Sequence, residues 1–461
     1  MTSLHPIHRT FRTVPSIRRA PSPSSWLVVG ALLTGLSDAG AQSFLALPSF
    51  NGAVDALAIS GNTMYVGGSF TTVDGATTRN RLAAIDLTSG SLTSWDPGVN
   101  GAIKALSLSP DGNTLYVGGS FTQIGGGGEG STSRNYLAAL STATGTVTSW
   151  NPDPNGSIKF LSVSAGGATE GNVYAVGGFS TLSAGGTSRG SGMAGIQPDG
   201  TITAFNPINN FGNVETGARG LAVSGDGNSV YLVNQTSLTW DAVGGGTVSR
   251  RGIAGLEAST GLATTFDPAA TEGPFAANSF AVLTVGNALY ISGSWDGIGG
   301  EERQRIAKFV NEALDTDFDT SPGGGGGLNT GTGRRMAYRD GVIYLLGDFD
   351  NYQGSAGRSG LAAINATTGD VVATWNPGAA NADNIGHDST SSGGMAVGAS
   401  GVYFGDPNMV QLLGQDMTGR NIAGLTAVPE PHEYALVSAA LCGGLVFWRR
   451  RQAGGTRAAR S

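Results

Sequence analysis

Seven arginines recur along this 461-residue chain, each two to four residues before a short apolar run: Arg79, Arg134, Arg189, Arg250, Arg303, Arg358 and Arg420. A guanidinium is a planar fork of donors that matches carboxylate or sulfate, so a ring of seven would suit an acidic polysaccharide. The recurrence also has a structural reading, in which each arginine ties its loop to a carboxylate or carbonyl of a neighbouring unit. Both readings stay open at this level. Other chemistry is sparse. Between residues 42 and 428 the single histidine is His387, and the sole cysteine, Cys442, lies beyond that stretch. A zinc site of several His or Cys is thereby excluded, and a Ser-His-Asp triad would have to use His387. The alternating carboxylates of "DTDFD" (315–319) and "GDFDNYQG" (347–354) could hold calcium through oxygen ligands. Neither continues into the spaced Glu of an EF-hand loop, and a solvent-facing strand edge accounts for them. Two carboxylates brought by folding to about 5–10 Å could hydrolyse a glycoside, but nothing in the sequence selects a pair. The glycine runs at 125–130 and 323–327 lack the helix and Lys-Ser/Thr of a phosphate loop and read as flexible insertions. No cofactor and no metal is expected.

The elements that would position these groups repeat. "MYVGGSFTTVDG" (64–75) returns as "LYVGGSFTQIGG" (115–126), as "VYAVGGFSTLSAGG" (173–186), and in weaker copies. Seven tyrosines anchor them, Tyr65, Tyr116, Tyr174, Tyr231, Tyr290, Tyr344 and Tyr403, spaced by 51 to 59 residues. The first copy carries four runs, "VDALAIS", "TMYVGGSF", "RLAAIDL" and "SLTSWDP", with turn residues between. Alternation of apolar and polar positions bounded by Gly, Asp, Asn and Pro predicts strands. Four strands at this period predict a seven-bladed β-propeller of four-stranded blades. The fourth strand ends in an aromatic, Trp95, Trp150, Phe205, Phe266, Phe318 or Trp375, one fewer than the tyrosines. "LPSFNGAVDAL" (47–57) is therefore expected to supply the missing outer strand to the last blade, with Phe50 as the seventh aromatic, closing the ring and removing its edges.

"YVGGSFT…RLAAIDLTSGSLTSWDPG" resembles the delta-60 type of propeller repeat of exported bacterial proteins, over roughly residues 47–427. "AAIDLTSGSLTSW" (83–95) and "AAINATTGDVVATW" (362–375) also resemble the tryptophan-docking motif of quinoprotein dehydrogenase propellers, without the adjacent cysteine pair. A quinoprotein-like dehydrogenase is accordingly a remote alternative.

Both ends read as addresses. Arg9, Arg12, Arg18 and Arg19 precede an apolar run over 26–36, followed by Ala39, Gly40 and Ala41. That order predicts a signal peptide over 1–41, cut after Ala41 by signal peptidase at the general secretion machinery. A disordered basic arm is the alternative. At the other end Val428, Pro429, Glu430 and Pro431 precede a charge-free run over 435–448, and Arg449, Arg450 and Arg451 follow. A 14-residue helix spans about 21 Å, short of the roughly 30 Å hydrocarbon core. Residues 428–461 resemble the PEP-CTERM sorting signal. The resemblance implies transient insertion of a short transmembrane helix in the inner membrane, with the arginines cytoplasmic. It further implies cleavage by an exosortase near the Pro-Glu-Pro, and delivery to the surface or matrix of a Gram-negative-type bacterium. A retained membrane anchor is the alternative.

The body between, residues 42–427, holds 17 Lys/Arg against 30 Asp/Glu, net −13, which disfavours nucleic acid as a partner. The expectation is an exported binding or structural module associated with exopolysaccharide or a surface protein, not an enzyme. A secreted carbohydrate-active hydrolase or lyase on the same scaffold is the alternative.

Overall fold

A computed structural model describes residues 47–126, 131–183, 186–209, 212–268, 279–295, 297–302, 305–320, 332–347, 349, 352–353, 360–373, 375, 394–398, 401–404 and 413–415. Among these the chain is all-β apart from one short 3-10 turn, Gly167–Thr169. The strands form seven larger antiparallel sheets in sequence order. Their innermost strands are Val54–Ser60, Ile103–Leu108, Ile158–Val163, Ala218–Val223, Ser279–Val285, Gly333–Arg339 and Met395–Val397, numbered here as sheets 1 to 7. Each pairs with a strand carrying the repeat tyrosine, and that strand pairs with a third. No helix among the described residues is long and apolar enough to cross a membrane. The segments 1–41 and 428–461, with Ala39, Ala41, Pro429, Glu430, Pro431, Arg449, Arg450 and Arg451, lie outside the described residues.

The expected fourth strand is a full element only in sheets 1 and 5, as Ser91–Leu92 and Ala313–Leu314. In sheets 2, 3, 4 and 6 it shrinks to single bridges, Leu140 to Val147, Ile196 to Ile202, Leu256 to Ala263 and Ile364 to Val371. The chain turns away at the aromatic that follows, and the proline beyond most of them has no N–H to extend a ladder. In sheet 4 the second and third strands run on as one long hairpin, Ser229–Asp241 with Thr247–Glu257.

The Gly-Gly of "YVGGSF" follows from the register. Each inner strand of sheets 1 to 6 carries a bulge, such as the shift between Val54 and Ala56. The carbonyl just before the bulge then presses on the second strand. A Cβ on Gly68 would lie 1.9 Å from the Ala53 oxygen, and one on Gly119 2.1 Å from that of Ala102. The preceding glycine meets the next sheet instead: a Cβ on Gly67 would stand 2.6 Å from Ile103 Cγ2. One glycine admits a bulge and the other admits a neighbour.

Apolar side chains are shared between successive sheets rather than within one. Tyr65, Leu82 and Trp95 of sheet 1 pack with Ile103, Leu115 and Val117 of sheet 2, and equivalent clusters join each sheet to its successor. The seventh cluster places Tyr403 of sheet 7 with Leu47, Phe50, Val54 and Leu57 beside sheet 1. A Cβ on Gly398 would reach Ile59 Cδ1 at 3.3 Å.

Phe50 departs from expectation. It bridges Val73 and packs edge-on against Phe70 at 4.6 Å, in the place that Val99, bridged to Ile124, takes one repeat later. The position matching Trp95 falls before residue 47, outside the described residues, as does any pairing of the N-terminal segment with sheet 7.

Candidate functional site

At a bulge two residues oppose one, so the extra side chain leaves the strand's alternation. The bulged residues of sheets 1 to 6 are Asp55, Lys104, Lys159, Arg219, Phe280 and Arg334. Most of them meet at a cavity of about 260 Å³ to which all seven inner strands contribute, through Asp55, Lys104, Phe160, Arg219, Phe280, Arg335 and Met395. In a body with an excess of acidic groups, this cavity is basic.

The basic groups are held apart by specific partners. Lys104 Nζ lies 2.9 Å from the buried Asp55 carboxylate. Lys159 Nζ donates to the carbonyls of Glu215 at 2.9 Å and Ala218 at 3.0 Å. Arg219 donates to the Ala218 carbonyl at 3.0 Å and to the Gln235 side-chain oxygen. The Arg334 guanidinium stands 4.8 Å from the Phe280 ring centre, a cation–π contact. Arg335 donates to the Arg334 carbonyl at 2.7 Å.

Their mutual repulsion opposes their protonation. Burial, then the charges of Arg334 and Arg219, pull Arg335 down to about 10, against a smaller opposing effect of Asp55. Burial and Arg334 lower Arg219. Burial, with Arg219 and Arg335 adding to it and Glu215 opposing, lowers Lys159. Both arginines of sheet 6 keep partly accessible side chains, as expected of groups lining a narrow opening. Four cations, Lys104, Arg219, Arg334 and Arg335, line the cavity with one carboxylate, Asp55, and an anion entering it would relieve the excess.

The recurring arginines do something else. Arg79, Arg134, Arg189 and Arg250 each donate one amino group to the preceding carbonyl. The other amino group reaches the carbonyl fourteen residues on, in Thr93, Thr148, Thr203 and Thr264, at 2.7, 2.8, 2.7 and 3.0 Å respectively. Each acceptor sits two residues before the aromatic of the same repeat. The tie is thus within one repeat, rather than to a neighbouring unit. Arg79 and Arg250 also approach Asp96 and Asp267, both at 3.5 Å. The geometry brings these four to their own backbones and not to a common surface cavity. Arg303, Arg358, Arg420 and His387 lie outside the described residues. In "DTDFD", Asp315 pairs with Lys308 at 2.7 Å, and no group of three metal-ligating side chains occurs among the described residues. The tryptophans of the docking-like motif reach across to the next sheet: Trp95 Nε1 donates to the Ser141 carbonyl at 3.3 Å, and Trp150 Nε1 to that of Gln197 at 2.9 Å.

No protein-family model matches the chain, and no curated protein matches it significantly. Among solved structures, it is similar to the β-propeller domain of Cps50 (Swd1) from Myceliophteria thermophila, with 8% identity and a TM-score of 0.45, over 80% of this chain and 98% of that one. A chain of the Mitotic Checkpoint Complex is similar at 12% identity and a TM-score of 0.44, over 84% of this chain and 99% of that one. At such distances neither likeness bears on what the chain does.

Proposed function

We propose that this chain is an exported binding module, a closed seven-bladed β-propeller whose axial cavity takes an anionic group of a surface glycan or exopolysaccharide. The observation that carries the reading is the convergence of Lys104, Arg219, Arg334 and Arg335 on one cavity of a body with a net negative charge, with Lys159 near enough to feel Arg219 and Arg335. Seven inter-sheet clusters, the last uniting Tyr403 with Phe50, support closure. The anion site is the bulge ring rather than the recurring arginines, of which Arg79, Arg134, Arg189 and Arg250 give both amino groups to carbonyls of their own repeat. The termini support export: cleavage after Ala41 and sorting at Pro429, Glu430 and Pro431, with Arg449 to Arg451 as the cytoplasmic stop.

Calorimetric titration with oligogalacturonate and with a sulfated oligosaccharide tests the binding half. Saturable binding is expected, weakening as salt rises because part of the attraction is between charges. Arg334→Gln with Arg335→Gln should lower affinity roughly tenfold or more, given about 1.5–3 kcal/mol for hydrogen bonds to charged groups. Absence of saturable binding to both probes, or binding indifferent to the double variant, would refute the site. Intact mass of the protein from its native host tests the sorting half, with termini near Gln42 and Pro429 expected.

A further inference from the structure

The repeat tyrosines dock their hydroxyls onto the next sheet. Tyr65 donates to the Thr142 carbonyl at 2.9 Å, Tyr174 to that of Ala258 at 2.9 Å and Tyr290 to that of Ala366 at 2.7 Å. Tyr231 uses the Glu312 carboxylate at 3.3 Å. Tyr116 differs. It is only 4% exposed, and its ring meets Trp150 edge-on at 5.0 Å as its counterparts do. Yet its hydroxyl has no acceptor among the described residues, and it borders a groove instead.

The cause is one residue in the facing turn. Thr142, Ala258 and Ala366 each use their N–H to grip the hairpin inside them, through Asn113, Asn228 and Gly341 at 3.0, 2.8 and 2.8 Å. In sheet 3 the matching position, next after the Gln197 that accepts the Trp150 indole, is Pro198. Proline has no N–H to give. The groove here measures about 610 Å³, against about 350 Å³ at the same place between sheets 1 and 2.

Around the groove stand Asp111, Glu170 and Asp199, with Thr148 and the Pro198 ring completing the wall. Ser109 holds Asp111, and the Thr201 N–H holds Asp199, below the usual carboxylate range, so both are ionised acceptors. Burial and Asp111 raise the Tyr116 phenol, which therefore stays a donor. Three carboxylates repel an anion. A small cation would satisfy them but offers the phenol no acceptor. A ligand with several hydroxyls, each both donor and acceptor, matches the whole set.

We infer that the groove between sheets 2 and 3 is a subsite for an uncharged sugar unit, with the Tyr116 hydroxyl donating to it from the floor and Asp111, Glu170 and Asp199 accepting from its hydroxyls. This site is separate from the axial cavity, and its test does not depend on that one.

The purified protein is titrated with glucose, galactose and mannose trisaccharides and, separately, with putrescine, read by saturation-transfer NMR and tryptophan fluorescence. At least one neutral trisaccharide should bind saturably. Tyr116→Phe should weaken it roughly five- to tenfold, the value of about one net hydrogen bond. Tyr65→Phe, whose hydroxyl is already engaged, should leave it unchanged. Pro198→Ala, which supplies the missing N–H, should also weaken it by drawing the turn inward. The inference falls if none of the trisaccharides saturates, if putrescine binds in their place, or if Tyr116→Phe binds as the parent does. Native circular-dichroism spectra for both tyrosine variants at the titration temperature keep the comparison clean.

Discussion

Arg189 gives one amino group to the Ser188 carbonyl and the other to the Thr203 carbonyl, both at 2.7 Å, and is 8% exposed. Arg335 gives one amino group to a carbonyl and faces other cations. Two substitutions separate these roles. Arg189→Gln should cost about 1–3 kcal/mol of stability, since two partly buried carbonyls lose charged donors, and should leave oligogalacturonate affinity intact. Urea denaturation beside calorimetry checks both halves. Arg335→Gln should do the reverse. It relieves repulsion, so the thermal midpoint should rise by about 1–2 °C, on the scale of a few tenths of a kcal/mol in a large domain, while anion binding falls. A drop in midpoint would mean that Arg335 serves packing first. The recurring arginines were conspicuous in the sequence because their type repeats. The bulge residues were not, because the position holds Asp, Lys, Lys, Arg, Phe and Arg in turn and only the backbone repeats. The available signal was a charge set second in an otherwise apolar first strand, as in "IKALSL" and "IKFLSV".

Within an element, the Gly-Gly pair and the bulge require one another. Gly119→Ala should be close to unfolding, because the Ala102 oxygen would sit 2.1 Å from the new Cβ and backbone cannot swing aside. Gly61→Ala faces open space at a φ of 56° and should cost about 1 kcal/mol through backbone strain alone. Circular dichroism on the pair distinguishes close approach from conformational freedom. The interface tyrosines give the elements a pH signature. Burial raises the phenols of Tyr65, Tyr116, Tyr174, Tyr231 and Tyr290, the last to about 12 from an ordinary 10. An unfolded chain then sheds phenolic protons that the folded one retains. The stability they contribute is complete below pH 10 and is lost as pH climbs towards 12. Urea midpoints measured from neutral pH upward should hold steady and then fall across that window. Tyrosine, glycine and strand order could all be read from the period. The shrinkage of the fourth strand could not, since it depends on where the aromatic seats against the next sheet.

Across the whole molecule, the seam between sheets 7 and 1 is the feature to test. The body between 42 and 428 has no cysteine, so an introduced pair has no native thiol there to compete with it. Ile59→Cys with Gly398→Cys should be joined by a short bifunctional maleimide, given the 3.3 Å approach of a Cβ at 398 to Ile59 Cδ1. Failure to cross-link while each single cysteine still reacts would mean that sheets 7 and 1 do not meet. The seven-part count was legible in the tyrosines, but which residues meet at the seam was not. Aromatic type alone puts Phe50 in the place of Trp95, whereas its bridge to Val73 gives it the place of Val99.

That seam also sets a timetable. Phe50 and Tyr403 share one cluster from opposite ends of the described chain. Pairings so distant in sequence form last and slowly. As the chain emerges, sheet 1 waits with one flank bare until sheet 7 arrives, so neither end can finish folding without the other.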